Sequence, residues 1–171
     1  MHPLLSLFPA GLLAIAATAA HADVVVNFTE PEHYTDAAYT RAFASETDRA
    51  EVQRDIARHL GRLAERSLPR DQTLTIDVRD IDLAGWFEPW HARTGHDVRI
   101  LRDITWPRIK LAYTLKRGDQ VFASGEDRLV DMNYLMVTNT YPGSDRLRYE
   151  KPMLDAWFAR IVGRHESAGS D

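Results

Sequence analysis

The sequence predicts an α+β fold: a two-layer sandwich in which a mostly antiparallel sheet carries two amphipathic helices on one face. Three observations predict it. Residues 108–130 alternate apolar and polar side chains on either side of a tight Arg117-Gly118-Asp119 turn, the pattern of a β-hairpin. Residues 45–68 place Val52, Ile56, Leu60 and Leu63 on one stripe at helical spacing. A second helical stripe closes the chain, with Met153, Leu154, Trp157, Phe158, Ile161 and Val162. One-sided helices must bury their stripes, and a sheet joined by short turns offers one face to do so.

Each element has a local reason. The run Asp23-Val-Val-Val-Asn-Phe28 is β-branched and reads as a short buried strand. The following segment, punctuated by Pro31, reads as a loop or a single helical turn. Ser45 is a suitable N-cap for the first helix, and Glu46 and Asp48 set negative charge in its first turn, where the helix dipole favours it. Pro69 stops that helix. Leu74, Ile76 and Val78 then alternate with Thr75, Asp77 and Arg79, a strand with one buried face. Past Val78 the next apolar positions are Ile81 and Leu83, a slip of one residue. That slip requires either a bulge near Arg79-Asp80 or the end of the strand.

Val98, Ile100, Ile104 and Trp106 share even register and predict a further strand over 97–106. Pro107 separates it from the long strand carrying Ile109, Leu111, Tyr113 and Leu115, whose partner begins at Val121. Residues 139–146 form a loop, Pro152 opens the last helix as a favoured first helical residue, and Gly163 is placed to close it.

Residues 1–22 stand apart. They contain no Asp, Glu, Lys or Arg, are apolar from Leu4 to Ala20, and end in Ala20-His21-Ala22. This is the pattern of a secretory signal cleaved after Ala22, although the leading segment offers only His2 in place of the usual positive charge. The expectation is therefore a signal peptide at 1–22, a single domain at 23–165 and a disordered tail at 166–171. With no cysteine, disulfides and the usual lipid anchor of a lipoprotein are excluded. A soluble periplasmic protein follows, with no membrane span after cleavage. Net charge is −4 and the cations are scattered along the chain, so a nucleic-acid surface is not expected.

Chemistry has one conspicuous place to live. In Asp77-Val-Arg-Asp-Ile-Asp-Leu-Ala-Gly-Trp-Phe-Glu-Pro-Trp90, Asp80, Asp82 and Glu88 stand close to His91. Together they could form a metal site for a hydrolase, since carboxylates suit hard cations and histidine completes many metal centres. Their spacing matches neither a calcium loop nor a helical zinc pair, and acids at a strand end commonly cap free backbone N–H groups and turn the chain. His91 and His96 are five residues apart across a glycine, too far for a helical pair. His59 falls at the edge of the first helical stripe, where packing suffices as its role. Trp86, Phe87, Trp90 and Trp106 are the densest aromatic group. They either plug the end of the core or line a surface for a ligand or partner. No nucleophile elbow and no glycine-rich phosphate loop occurs, and no cofactor is expected.

Five ordered stretches, at 24–36, 80–89, 97–115, 129–135 and 147–158, resemble the domain-of-unknown-function 3016 family of exported bacterial proteins. The resemblance implies the envelope of a Gram-negative bacterium and brings no activity or catalytic residue. The functional expectation is a non-enzymatic binding or accessory domain whose partner is an envelope protein or small ligand. It would use the helix-free sheet face or the Trp86–Trp90 loop. The alternative is the metal-dependent hydrolase built on Asp80, Asp82, Glu88 and His91.

Overall fold

The computed structural model describes residues 23–88 and 98–166. Its first strand, β1 (Asp23–Phe28), leads through a single 3₁₀ turn at Pro31–His33 to helix α1 (Glu46–Ser67). Strand β2 (Gln72–Asp82) follows, then two short strands, β3 (Trp86–Phe87) and β4 (Arg99–Ile100). The hairpin β5 (Arg108–Arg117) and β6 (Gln120–Val130) comes next, and helix α2 (Glu150–Glu166) completes the fold. The main sheet has the order β1-β2-β5-β6, and β3 pairs with β4 in a separate two-stranded ribbon. Both β2–β5 and β5–β6 are antiparallel; β1 is parallel to β2 because α1 intervenes as a crossover.

One side of the sheet is apolar. Leu74, Ile76, Val78 and Ile81 of β2, Ile109, Leu111 and Leu115 of β5, and Leu129 of β6 are buried in one cluster with both helices. From α1 come Val52, Ile56, Leu60 and Ala64, and from α2 all six residues of the predicted stripe. Trp157 stands edge-on to Tyr113, ring centres 5.9 Å apart, and donates its indole N–H to Asp127 at 2.9 Å. Gly125 lies opposite Tyr113 on β6, and a Cβ there would meet the tyrosine ring at 3.2 Å, so the ring takes the space the glycine leaves. The two-layer α+β arrangement with both helices on one face is thus the fold observed.

The parity slip in β2 is a bulge: register shifts between Val78 and Asp80, which returns Ile81 to the core face. Ser45 caps α1 in a full capping box, its Oγ accepting the Asp48 N–H while the Asp48 carboxylate accepts the Ser45 N–H at 3.0 Å. The hairpin turns on two residues, with Gly118 at φ +56°.

Three expectations need correction. The strand predicted over 97–106 is reduced to Arg99–Ile100. The chain turns at once, Thr105 N–H bonding to the Arg102 carbonyl at 3.0 Å and Thr105 Oγ1 accepting the Arg102 N–H at 3.1 Å. That side-chain-closed turn competes with extension. Helix α2 starts at Glu150 rather than Pro152, and it runs through Gly163 to Glu166, because a glycine with ordinary helical φ can stay inside a helix. The tail past Glu166, like residues 1–22, lies outside the described residues. Among the described residues, no helix is long and apolar enough to cross a membrane.

Candidate functional site

The bulge in β2 brings Asp80 and Asp82 to the sheet's helix-free side, where their register partners are Lys110 and Arg108. Residues 34–39 run beside this strand end: Asp36 N–H bonds to the Ile81 carbonyl at 2.9 Å, and Leu83 N–H returns to the Asp36 carbonyl at 3.1 Å. Asp80 accepts the Thr35 N–H at 2.8 Å and its hydroxyl at 3.1 Å, with Lys110 at 3.7 Å. Asp82 is buried and accepts Arg108 Nε at 2.7 Å; burial holds its carboxyl above the ordinary range, opposed by that guanidinium. Glu88 receives a two-pronged bond from Arg102, at 2.7 and 2.8 Å. Asp77 sits elsewhere on the open face and accepts Asn27 Nδ2 at 2.8 Å.

Asp80, Asp82 and Glu88 are therefore engaged separately, each by its own donors. Among the described residues no group of three or more His, Cys, Asp or Glu side chains is placed to hold a metal ion. His91, His96 and Trp90 lie outside the described residues. The aromatic group also divides. Trp86 is half exposed opposite Ile100, Phe87 is buried beneath the Arg99 guanidinium at 4.4 Å, and Trp106 is half-buried. The aromatics that fill the core are Trp157 and Phe158 of α2.

Arg99 is the centre that sequence reasoning did not find. Its guanidinium makes a double ion pair with Asp36, at 2.8 and 2.9 Å, and donates to the carbonyls of Ala38, Ala84 and Gly85. It thereby ties the 34–39 segment, the turn after β2 and the β3–β4 ribbon into one unit. Gly85 makes this approach possible: at φ +87°, a Cβ there would lie 2.8 Å from the Ile100 carbonyl oxygen.

Beside this unit lies a cavity of about 430 Å³, walled by Leu83, Leu101, Tyr39 and Tyr149 and floored by the first residue of α2. That residue, Glu150, is 2% exposed; its Oε1 accepts the Ala84 N–H at 2.8 Å. Complete burial pushes its carboxyl up to about 7, against the opposing pull of the Ala84 N–H, its own N–H and Arg99. An acid at the start of a helix reads from sequence as a dipole complement, and nothing in the spacing connects it to Ala84. Arg146, on the rim, pairs with Glu51 at 2.8 Å and Asp55 at 3.1 Å of α1 and lies over Tyr39.

A second polar cluster joins the helices. Buried His59 of α1 donates its Nε2–H to Asp155 of α2 at 2.7 Å, and Tyr141 OH reaches the other Asp155 oxygen at 2.6 Å. Burial lowers the His59 pKa, with Asp155 opposing the shift. The geometry of this pair is that of an interhelical tie.

The fold and these pairings define a two-layer α+β domain whose sheet end is knitted by arginine–carboxylate pairs around one cavity. The chain belongs to the DUF3016 family, described as proteins of unknown function, whose pattern matches residues 22–160. No curated protein matches it. Among solved structures it is similar to a Xanthomonas campestris protein of the DUF330 family. That likeness has 13% identity over 90% of this chain and 91% of the other, with a TM-score of 0.35, too distant to bear on function.

Proposed function

We propose that this protein is a non-enzymatic binding domain of the bacterial cell envelope, exported to the periplasm by residues 1–22 and freed of them after Ala22. It engages an envelope protein through the apolar side chains at the end of the sheet. The observation that carries this reading is where large apolar side chains stand in water. Ile104 is 70% exposed, Met132 63%, Met136 83% and Val137 63%, with half-exposed Trp86 on the neighbouring ribbon. The 131–137 segment and the 101–106 loop are joined by Tyr134, whose hydroxyl bonds to the Arg102 carbonyl at 2.7 Å. Grouped exposed apolar side chains mark contact surfaces, and methionines adapt readily to a partner.

The separate engagement of Asp80, Asp82 and Glu88 supports binding over hydrolysis, because a hydrolytic site needs acid and base converging on one point. The helix-free sheet face is less suited to the contact than the sheet end. It presents Asn27 and Asp77 bonded to each other and Arg79 paired with Glu126 at 2.7 Å.

The test is site-specific photo-crosslinking in cells. A crosslinker at positions 104 and 136 should trap one envelope protein that a crosslinker at position 124 does not. Equal products from all three positions, or none, overturn the reading. Mass spectrometry of the periplasmic fraction should show a mature chain beginning at Asp23. Thermal shift against zinc, calcium, magnesium and manganese separates the metal-dependent alternative, which requires a metal-induced rise.

A further inference from the structure

The cavity beside Arg99 is lined by residues that hold unpaired polar atoms. Four side-chain polar atoms are buried without a hydrogen-bond partner among the described residues, and three of them, Arg99 Nε, Arg148 Nε and Glu150 Oε2, belong to residues lining this one space. Buried polar atoms are seldom left unpaired, and three of these four sit in the residues around one hollow. Two other hollows, of about 460 and 240 Å³, have no such atom in the residues that line them.

Charge fixes what the ligand must carry. Arg99 is neutralised by Asp36, Arg146 by Glu51 and Asp55, and Asp145 by Lys151. Arg148 lines the same cavity, half-buried, with its guanidinium against the Tyr149 ring at 5.2 Å and no carboxylate partner among the described residues. An unpaired guanidinium on a partly apolar wall calls for a planar oxyanion that it can grip with parallel N–H bonds. The walls of Leu83, Leu101, Tyr39 and Tyr149 call for an apolar, ring-sized body, and the volume falls within the range of small-molecule sites.

We propose that this cavity binds a small cyclic organic acid, its carboxylate on Arg148 and its ring between the tyrosines and leucines. The site is independent of the apolar surface assigned to the envelope partner, and either can fail without the other.

The experiment is NMR titration of the mature chain, residues 23–171, with 4-hydroxybenzoate, benzoate, phenol and inorganic phosphate. The expected result is saturable shifts at Leu83, Ala84 and Tyr149 with 4-hydroxybenzoate and with benzoate, and none with phenol or phosphate at equal concentration. Arg148→Gln should weaken 4-hydroxybenzoate roughly tenfold, the loss of one charge-assisted contact, and Arg148→Lys should recover part of it. Arg160→Gln, on the far side of α2, should leave binding unchanged. Absence of saturable shifts with both carboxylates overturns the proposal. So does phosphate binding as well as they do, or full binding by a folded Arg148→Gln variant.

Discussion

Glu150 and Ala84, 66 residues apart, are joined by a 2.8 Å hydrogen bond from the Ala84 N–H to the buried Glu150 carboxyl, which locks the start of α2 to the turn leaving β2. This contact makes stability depend on pH in a stated direction. Because the folded carboxyl is raised from 4.5 to about 7, its contribution is fully present below pH 4.5 and is lost as pH rises from there to about 7. Glu150→Gln keeps an acceptor for Ala84 and removes the titration. The variant should therefore be more stable than the parent at pH 7.5, by up to about 3 kcal/mol, and the gap should close at pH 4.5. Urea denaturation at the two pH values measures it, and an equal gap at both would refute the assignment.

The tie between the helices has the opposite sign. His59 is held neutral by burial, its folded pKa below the ordinary 6.5, so the stability it accompanies is present above pH 6.5 and lost as pH falls through the depressed folded value. NMR titration should place the His59 imidazole below the ordinary histidine value of 6.5. Asp155→Ala strands both the His59 N–H and the Tyr141 hydroxyl, and should cost about 1–3 kcal/mol in urea, with the slope of unfolding against urea unchanged.

What could be read in advance divides along a physical line. The six apolar residues of α2, the alternation of Ile109 to Leu115 and the parity slip at Arg79-Asp80 are local periodicities, and each has its counterpart in the fold. Arg99 gave no such sign: its ion pair reaches Asp36, 63 residues earlier, and periodicity made it the polar member of a strand. The even register of Ile104 and Trp106 favours a longer strand, and the turn chemistry of Arg102 to Thr105 overrides it. The tryptophans at 86 and 106 drew attention by density, while the core was filled by Trp157, one member of a helical stripe. The acids of residues 77–90 are legible as strand-end acids. Their arginine partners are not, because Arg102 and Arg108 are set opposite them only once the bulge and the ribbon have formed.

The capping box at Ser45 offers a local test. Ser45→Ala removes the acceptor of the Asp48 N–H and leaves the Asp48 carboxylate with one fewer bond from the cap. The expected cost is about 1 kcal/mol, and hydrogen exchange should quicken in the first turn of α1 before any other part of that helix. Restoring the cap with Ser45→Asn should recover most of it.

Gly85 links the fold to the cavity. Its φ of +87° disfavours any side chain, and a Cβ there would meet both the Ile100 carbonyl oxygen and Leu101 Cδ2 at 2.8 Å. The first is backbone and cannot step aside without parting β3 from β4; the second belongs to a wall of the cavity. Gly85→Ala should therefore cost roughly 1–3 kcal/mol, through the strained backbone together with the clash. Because Arg99 is anchored on the Ala84 and Gly85 carbonyls, the damage should travel. The amide resonances of Phe87, Arg99 and Leu101 should shift more than those at the far end of the β5–β6 hairpin, around Gly118. A uniform loss of stability with those three amides unmoved would show that Gly85 serves only the turn, and that the ribbon is positioned by something other than this approach.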